Sequence, residues 1–409
     1  MIEVEEALGI ILDHIRVLDP EEVGILDCLD RTLAEEIYAE MDIPPFRSSA
    51  MDGYAVITAD TVEASEVSPV YLEVVEDIPA GSLPKKPLSS GQATRIMTGA
   101  PLPAGANGVI MVEYTERTDG KVKLIRKVSP MENVREAGED VAGGELVLSK
   151  GSLIRPAEVG MLASLGKRSV FCVRKPRVAI LSTGDEVVDI DQELSPGKIR
   201  NSNGYSLYAQ VVRYGGIPVL LGIAPDDEVK IKNQIEQGLG SSDMLVISGG
   251  VSVGDYDLVK GVLADLGVEM KFWKVAMKPG KPLAFGLVKE KPVFGLPGYP
   301  VSVLVVFEQF VRPAMRKMAG RKCLKKPEIE AELCEEIKKK PGRRNYLRGV
   351  IEKKDGQYYA RTTGPQGSGI LSSMVKANAL LVLPSEVSYL KTGDKIKAQI
   401  LDYPEGGIL

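Results

Sequence analysis

The chain has one histidine, one tryptophan and four cysteines among its 409 residues, and only 5% of them are aromatic. Each scarcity removes a class of chemistry. With His14 alone, a Ser-His-Asp triad or a histidine-rich metal site has almost nothing to be built from. Cys28, Cys172, Cys323 and Cys334 are scattered, with no CxxC pair, so a zinc ribbon or a thioredoxin-like site is excluded. Four cysteines are also too few for a disulfide scaffold, although one internal bridge stays open. A basic surplus is missing as well: the net charge is −5, which speaks against a nucleic-acid partner. No apolar run reaches the roughly 18 residues of a membrane span, and the N-terminus MIEVEEALGI is acidic, unlike a signal peptide. A cytoplasmic protein is expected, and any metal should be a hard cation held by carboxylates.

What remains is a globular composition, 44% hydrophobic and 26% charged, with an aliphatic core and a length that calls for two to four domains. Val4, Ala7, Leu8, Ile11, Leu12, Ile15 and Leu18 recur at helical spacing, and His14 reads as a residue on that helix. Pro44-Pro45 interrupts the chain. Residues 50–140 are rich in Val, Thr, Gly and Pro and read as a small β domain. Pro156–Leu165 reads as a short helix ended by Gly166.

From 176 to about 320 the pattern changes. Three short apolar runs, Val178–Leu181, Met244–Ile247 and Val293–Leu296, each lead into a Gly-rich turn. Helical patterns at Ser206–Tyr214, Val229–Leu239 and Val301–Met318 lie between or after them. Strand, turn and helix in repetition imply a doubly wound parallel sheet, with ligand bound beyond the carboxyl ends of the strands. The last stretch, 326–409, reads as a small β-barrel or sandwich, with hairpin signals at Asp355-Gly356 and Lys391–Asp394. Lys338-Lys339-Lys340 reads as a solvated loop.

Six clusters could carry chemistry. Asp52, in Ser48–Ala55, suits a ligand-facing loop or a turn cap. Thr98-Gly99-Ala100 is a Gly/Pro-rich loop, by itself weak. Ser182-Thr183-Gly184-Asp185-Glu186 pairs free backbone amides for a phosphate with two carboxylates for Mg²⁺, or it caps a helix. Ser248, Gly249 and Gly250 open a glycine-dense turn followed by Asp255 and Asp257, matching neither a P-loop nor a dinucleotide fingerprint. Lys274, Lys278 and Lys281 form the fifth cluster. Pro279 and Pro282 restrict the two lysines before them, which suits oxyanion anchors. Asp226-Asp227 is the sixth, a helix cap or a site carboxylate.

Taken together, PPFRSSAMDGYAV (44–56), TGAPLPAGANGVIMVE (98–113), GEDV (138–141), STGDEV (182–187), GKIRNSN (197–203), SGGVSVGDYD (248–257), KPGKP (278–282) and LPGYPVS (296–302) resemble the MoeA family of molybdopterin molybdenumtransferases, also seen as the C-terminal part of gephyrin-like proteins. The resemblance runs nearly the whole chain, in family order. It implies an α/β multi-domain protein: a linker and dimerisation domain (1–40 with 141–175), a β-rich domain (41–140), a molybdopterin-binding α/β domain (176–325) and a C-terminal β domain (326–409). It implies an elongated homodimer whose site joins the α/β domain to the partner's β-rich domain. The implied reaction takes adenylylated molybdopterin and molybdate or tungstate, cleaves the pyrophosphate with Mg²⁺, and releases AMP and the metal cofactor. By motif, Asp52, Glu186, Asp257, Lys274 and Lys278 would be catalytic, with Glu186, Asp226 and Asp257 at the metal. Thr98, Asp140, Thr183, Gly184, Asp226, Ser248, Gly249, Gly250, Lys281, Pro282 and Ser302 would bind substrate, and Arg343 and Ser368 would receive molybdate. Contact with the molybdopterin adenylyltransferase is compatible with the resemblance. Two rivals stand: an adenylyltransferase consuming ATP on the same fold, and a non-catalytic gephyrin-like scaffold. Tyr299 stands where the family often has Asn; its ring would narrow the cleft or point outward.

Overall fold

The computed structural model describes residues 1–250 and 258–402. The chain divides into two compact units, one of residues 23–29 and 35–170, the other of 1–22, 30–34 and everything from Phe171 on. None of the described helices is long and apolar enough to cross a membrane.

The first unit is built on a six-stranded sheet. Its strands are β1 (Gly53–Val56), β2 (Val70–Ile78), β3 (Gln92–Ile96), β4 (Gly108–Met111), β5 (Thr115–Thr118) and β6 (Lys121–Leu124), in the order β4-β1-β3-β2-β6-β5. Side chains alternate as a pleated strand requires. Tyr54 and Val56 pack with Leu72, Ala93, Ile110 and Val122, while Ala55 joins Ile96 and Val109 in a separate cluster. Both faces of β1 are therefore covered, which is why the run Gly53–Val56 is apolar throughout. The helix at Pro156–Ser164 appears where Pro156 and Gly166 place it.

The second unit carries the expected doubly wound domain. Its strands are β7 (Arg177–Thr183), β8 (Ile217–Ala224), β9 (Met244–Ser248), β10 (Glu269–Lys274), β11 (Pro282–Val288) and β12 (Lys291–Leu296), ordered β8-β7-β9-β12-β11-β10. The first four in that order run parallel. Successive residues face opposite cores. Val178 and Ile180 pack with Leu207, Val211 and Val303, whereas Ala179 and Leu181 pack with Ile231, Ile235 and Val259. Burial on both faces is what makes these strands continuous apolar runs. The opening helix, Val4–Asp13, buries Val4, Ala7 and Ile11 in the first of these cores and ends at His14, before Leu18.

Two expectations are corrected here. The sheet is not wholly parallel, because β11 and β10 run antiparallel at one edge. Only Lys289 and Glu290 join β11 to β12, both at positive φ (47° and 65°), and two residues can close a hairpin but not a crossover. The helix expected over Val301–Met318 is interrupted: Phe307–Val311 forms a π turn between α segments Pro300–Val306 and Arg312–Met318.

The C-terminal strands are β13 (Glu328–Leu333), β14 (Arg344–Lys354), β15 (Gln357–Thr362), β16 (Ala379–Leu383) and β17 (Lys395–Ile400). They pair β14-β15-β13-β17-β16, and β16 returns to β14, so the sheet is a closed five-stranded barrel. Ala331, Leu333, Ile351, Ala360, Leu381 and Ala398 fill it. Asp355-Gly356 makes the hairpin turn between β14 and β15. Lys339 is not solvated as expected, since its Nζ donates to the carbonyls of Arg343 and Ser385.

A buried ionic cluster ties the barrel to the sheet domain. Glu308, in the π turn, lies 3.0 Å from Lys326 Nζ and 3.6 Å from Arg312 Nε, and it accepts hydrogen bonds from Gln210 and the Tyr214 hydroxyl. Lys326 also donates to the carbonyl of Ile400, the last residue of β17. Burial lowers the pKa of Lys326, and Glu308 offsets part of that shift. One carboxylate thus compensates two desolvated cations. Replacing Glu308 with Gln is expected to lower unfolding stability by about 3 kcal/mol or more in a urea titration, because it strands both cations; a loss under about 1 kcal/mol would show that the cluster is not coupled in this way.

Candidate functional site

The Gly-rich turns gather at the carboxyl ends of the parallel strands. β7 and β9 pair up to Ser182 and Ser248, and the chain then turns away through Gly249 and Gly250 at φ +91° and +62°. The approach leaves no room for side chains. A Cβ at 249 would lie 2.7 Å from the Thr183 carbonyl oxygen, and one at 250 would lie 2.9 Å from the Thr183 hydroxyl. That hydroxyl is buried and has no hydrogen-bond partner among the described residues. A polar atom in this state needs a partner. Below it, Ser248 donates to Ser182 at 3.3 Å, and Ser182 donates to Asn201 at 2.8 Å. Asn201 caps the helix Ser202–Arg213 by accepting from the Gly204 amide.

The acidic side of this edge is held from two loops. Asp185 and Asp226 each accept the other's backbone N–H, at 3.0 and 3.4 Å. Lys198 Nζ donates to the Asp185 carbonyl at 2.5 Å. Asp227, not Asp226, caps the helix Glu228–Ser241, which leaves Asp226 for the site. No helix follows Ser182–Glu186, so the capping alternative for that turn falls; the chain continues into the short strand Val187–Val188. Glu186 is exposed, and its carboxylate lies over Gly184. Among the described residues no group of three carboxylate, histidine or cysteine side chains could hold a metal alone. Asp185, Glu186 and Asp226 are all exposed at this edge. Asp257 lies outside the described residues.

The lysines reach the same edge from the antiparallel hairpin. Lys274, at the end of β10, pairs with Pro282, the start of β11, and β11 runs beside the carboxyl end of β12. Lys274, Lys278 and Lys281 are all exposed, and Met277-Lys278 pairs in parallel with Arg344-Asn345 of the barrel. Beyond β12, the Gly298 carbonyl accepts from the Asn203 side chain at 2.8 Å, and Ser302 is buried in the first turn of the following helix. The barrel contributes a loop here: the Val301 amide donates to the Ser368 carbonyl at 3.1 Å.

The sequence reading passed over Arg348, which holds this loop. Its guanidinium is buried and donates to the Gly367 carbonyl at 3.1 Å and the Ser373 hydroxyl at 3.0 Å, while its amide donates to Gln366. Burial without a carboxylate partner lowers its pKa to about 10. Its position beside Gly349 in the Arg-Gly pair was the available signal. Asn201 and Asn203 were likewise quoted only as part of a motif. Arg343 is half-exposed, and its carbonyl is held by Lys339.

Asp52, Thr98 and Asp140 lie in the other unit. Asp52 accepts from both the amide and the hydroxyl of Thr98, each at 2.8 Å, and these bonds hold its carboxyl below the ordinary value. Asp140 is exposed, and its amide donates to the Ile43 carbonyl at 3.0 Å.

Gly249→Ala should lower stability by about 1–3 kcal/mol in chemical denaturation, since it adds a Cβ at positive φ against a carbonyl; an unchanged midpoint would contradict the close approach. The depressed Asp52 pKa means that the Thr98 bonds contribute above the ordinary carboxyl value and are lost as pH falls through the lower folded one. In an NMR titration the Thr98 amide should therefore shift only below pH 3.8, the ordinary value; a transition above it would contradict the bond.

Three family models cover the chain in succession. The MoeA N-terminal region (domain I and II) matches residues 2–166, a probable molybdopterin binding domain matches 179–317, and the MoeA C-terminal region (domain IV) matches 330–401. A molybdopterin molybdenumtransferase of Bacillus subtilis is 35% identical, covering 99% of this chain and 95% of its own. One of Nostoc is 37% identical, covering 97% and 93%. A molybdopterin biosynthesis MoeA protein of Pyrococcus horikoshii superposes with a TM-score of 0.84 at 35% identity, covering 98% and 100%. The chain belongs to the MoeA family of molybdopterin molybdenumtransferases.

Proposed function

We propose that this chain, as a cytoplasmic homodimer, cleaves the diphosphate of adenylylated molybdopterin with release of AMP and passes molybdate to the pterin dithiolene. The observation that carries this reading is the close approach of Gly249 and Gly250 to Thr183, whose buried hydroxyl has no hydrogen-bond partner among the described residues. It offers a hydroxyl and close backbone to a phosphate, on a sheet edge that also carries Lys274, Lys278 and Lys281. The names of the relatives, molybdopterin molybdenumtransferase, agree with it.

In this reading Thr183, Gly249 and Gly250 bind the diphosphate and fix its orientation. Water enters across the P–O–P link, giving AMP and a pterin monophosphate. The lysines, held by Pro279 and Pro282, neutralise the negative charge that builds on the departing phosphate. Asp185, Glu186 and Asp226 would hold Mg²⁺, whose chemistry there is to polarise the phosphate oxygens. Arg343 and Ser368 receive molybdate, and Arg348 acts as a positioning residue by fixing the Gly367 carbonyl beside Ser368. Thr98 and Asp140 bind substrate and Asp52 takes part in catalysis, as the family resemblance implies.

The test mixes the protein with adenylylated molybdopterin, Mg²⁺ and molybdate and measures AMP. Glu186→Gln should cut AMP release at least about a hundredfold while leaving the dimer intact in sedimentation, as removal of one preorganised electrostatic group does. Arg348→Met should raise the molybdate concentration needed for half-maximal product and leave AMP release within about threefold; a positioning role in molybdate uptake predicts that split. ATP turnover without AMP release from the adenylylated pterin would replace this reading with the adenylyltransferase one.

A further inference from the structure

Tyr299 stands on the rim of the strand-end site. The residue before it, Gly298, neighbours Gly249: a Cβ there would lie at ordinary contact distance, 4.0 Å, from the Gly249 α-carbon. Tyr299 is therefore one residue away from the backbone proposed to grip phosphate. The barrel loop passes near its ring, since a Cβ at Gly369 would lie 3.5 Å from ring carbon Cδ1. The rest is open, with the residue 64% exposed.

The ring of Tyr299 joins none of the apolar clusters among the described residues. Tyr299 occupies the N-cap of the helix starting at Pro300 yet makes no side-chain cap bond. Ser, Thr, Asp and Asn serve that position better. An aromatic ring that neither caps nor joins a core, near a glycine loop at the edge of a phosphate-binding turn, has the form of a stacking surface.

We propose that Tyr299 is a specificity-determining platform on which a fused planar heterocycle of the substrate stacks. This inference rests on the functional reading above and deepens it. The substrate proposed there carries such a ring at each end, adenine and pterin, joined through the diphosphate. With the diphosphate on Thr183 and Gly249, one ring is placed beside Tyr299. Its open face supplies offset stacking. The hydroxyl has no part in this, so Phe should serve as well as Tyr, whereas Asn should not.

The experiment titrates the full-length protein calorimetrically with AMP, ribose 5-phosphate and 6-hydroxymethylpterin. It compares wild type with Tyr299→Phe and Tyr299→Asn. Tyr299→Asn should weaken one of the two heterocyclic probes about tenfold, the scale of one base–aromatic stack, and leave ribose 5-phosphate unchanged. The probe that weakens identifies the ring. Tyr299→Phe should retain wild-type affinity for it. In turnover, Tyr299→Asn should raise KM by a similar factor with kcat little changed, the sign of uniform binding. Unchanged affinity for both heterocyclic probes in Tyr299→Asn would overturn the platform alone. Failure of the wild type to bind any of the three probes would instead overturn the phosphate-binding reading, and the platform with it.

Discussion

Two strand ends meet at Thr183 and Gly249 with no side chain between them, and the character of the site follows from that contact. The runs Val178–Leu181 and Met244–Ile247 behind it are apolar and buried. At the last paired positions the composition changes to serine, and the Ser248–Ser182–Asn201 chain carries hydrogen bonding through the buried floor to the cap of a helix. Small hydroxyl and amide groups can be satisfied within that space, where larger polar residues would separate the strands. Among the described residues the Thr183 hydroxyl is left without a partner at the top of the chain. Around it the loops diverge by charge: carboxylates after β7 and β8, lysines before β11. In the function proposed above, these two sides would meet a polyanion, the carboxylates through a metal and the lysines directly.

Much of this was legible in the sequence because the signals were local. The runs Val178–Leu181, Met244–Ile247 and Val293–Leu296 are apolar at both alternations, and only burial on both faces calls for that. Asp355-Gly356 announces its hairpin, and Pro156 with Gly166 brackets its helix. The departures come from positions where local chemistry is silent. Lys289-Glu290 turns a chain through positive φ without glycine or asparagine, so nothing in the residues marks the hairpin that makes the sheet edge antiparallel. The π turn at Phe307–Val311 has ordinary helical composition; its reason is tertiary, since Glu308 must meet Lys326 from the barrel side.

The candidate site divides the same way. Glycines, paired carboxylates and proline-framed lysines display their chemistry by type and spacing, so Thr183, Glu186, Asp226 and the lysines could be named in advance. Arg348 was marked only by its Arg-Gly pair with Gly349, because an arginine in a β-strand of alternating pattern otherwise reads as solvent-facing. Its burial depends on the loop 364–371 folding over it. Tyr299 was visible only as a departure, and its surroundings, a glycine loop on one side and solvent on the other, needed coordinates.

The carboxylate of Glu308 has a consequence for how this architecture can vary. Sheet domain and barrel are separate folding patterns, yet Lys326 sits between them and is neutralised from one side while bonding the last barrel strand on the other. A chain that lost the barrel would keep a lysine whose main-chain anchor had gone, beside an arginine with a share of one counter-ion. Loss or exchange of the terminal module is thereby penalised at a position far from the strand-end chemistry. Substitutions that free the barrel must remove Glu308 together with both cations it faces, Arg312 and Lys326, which ties the two parts to change together.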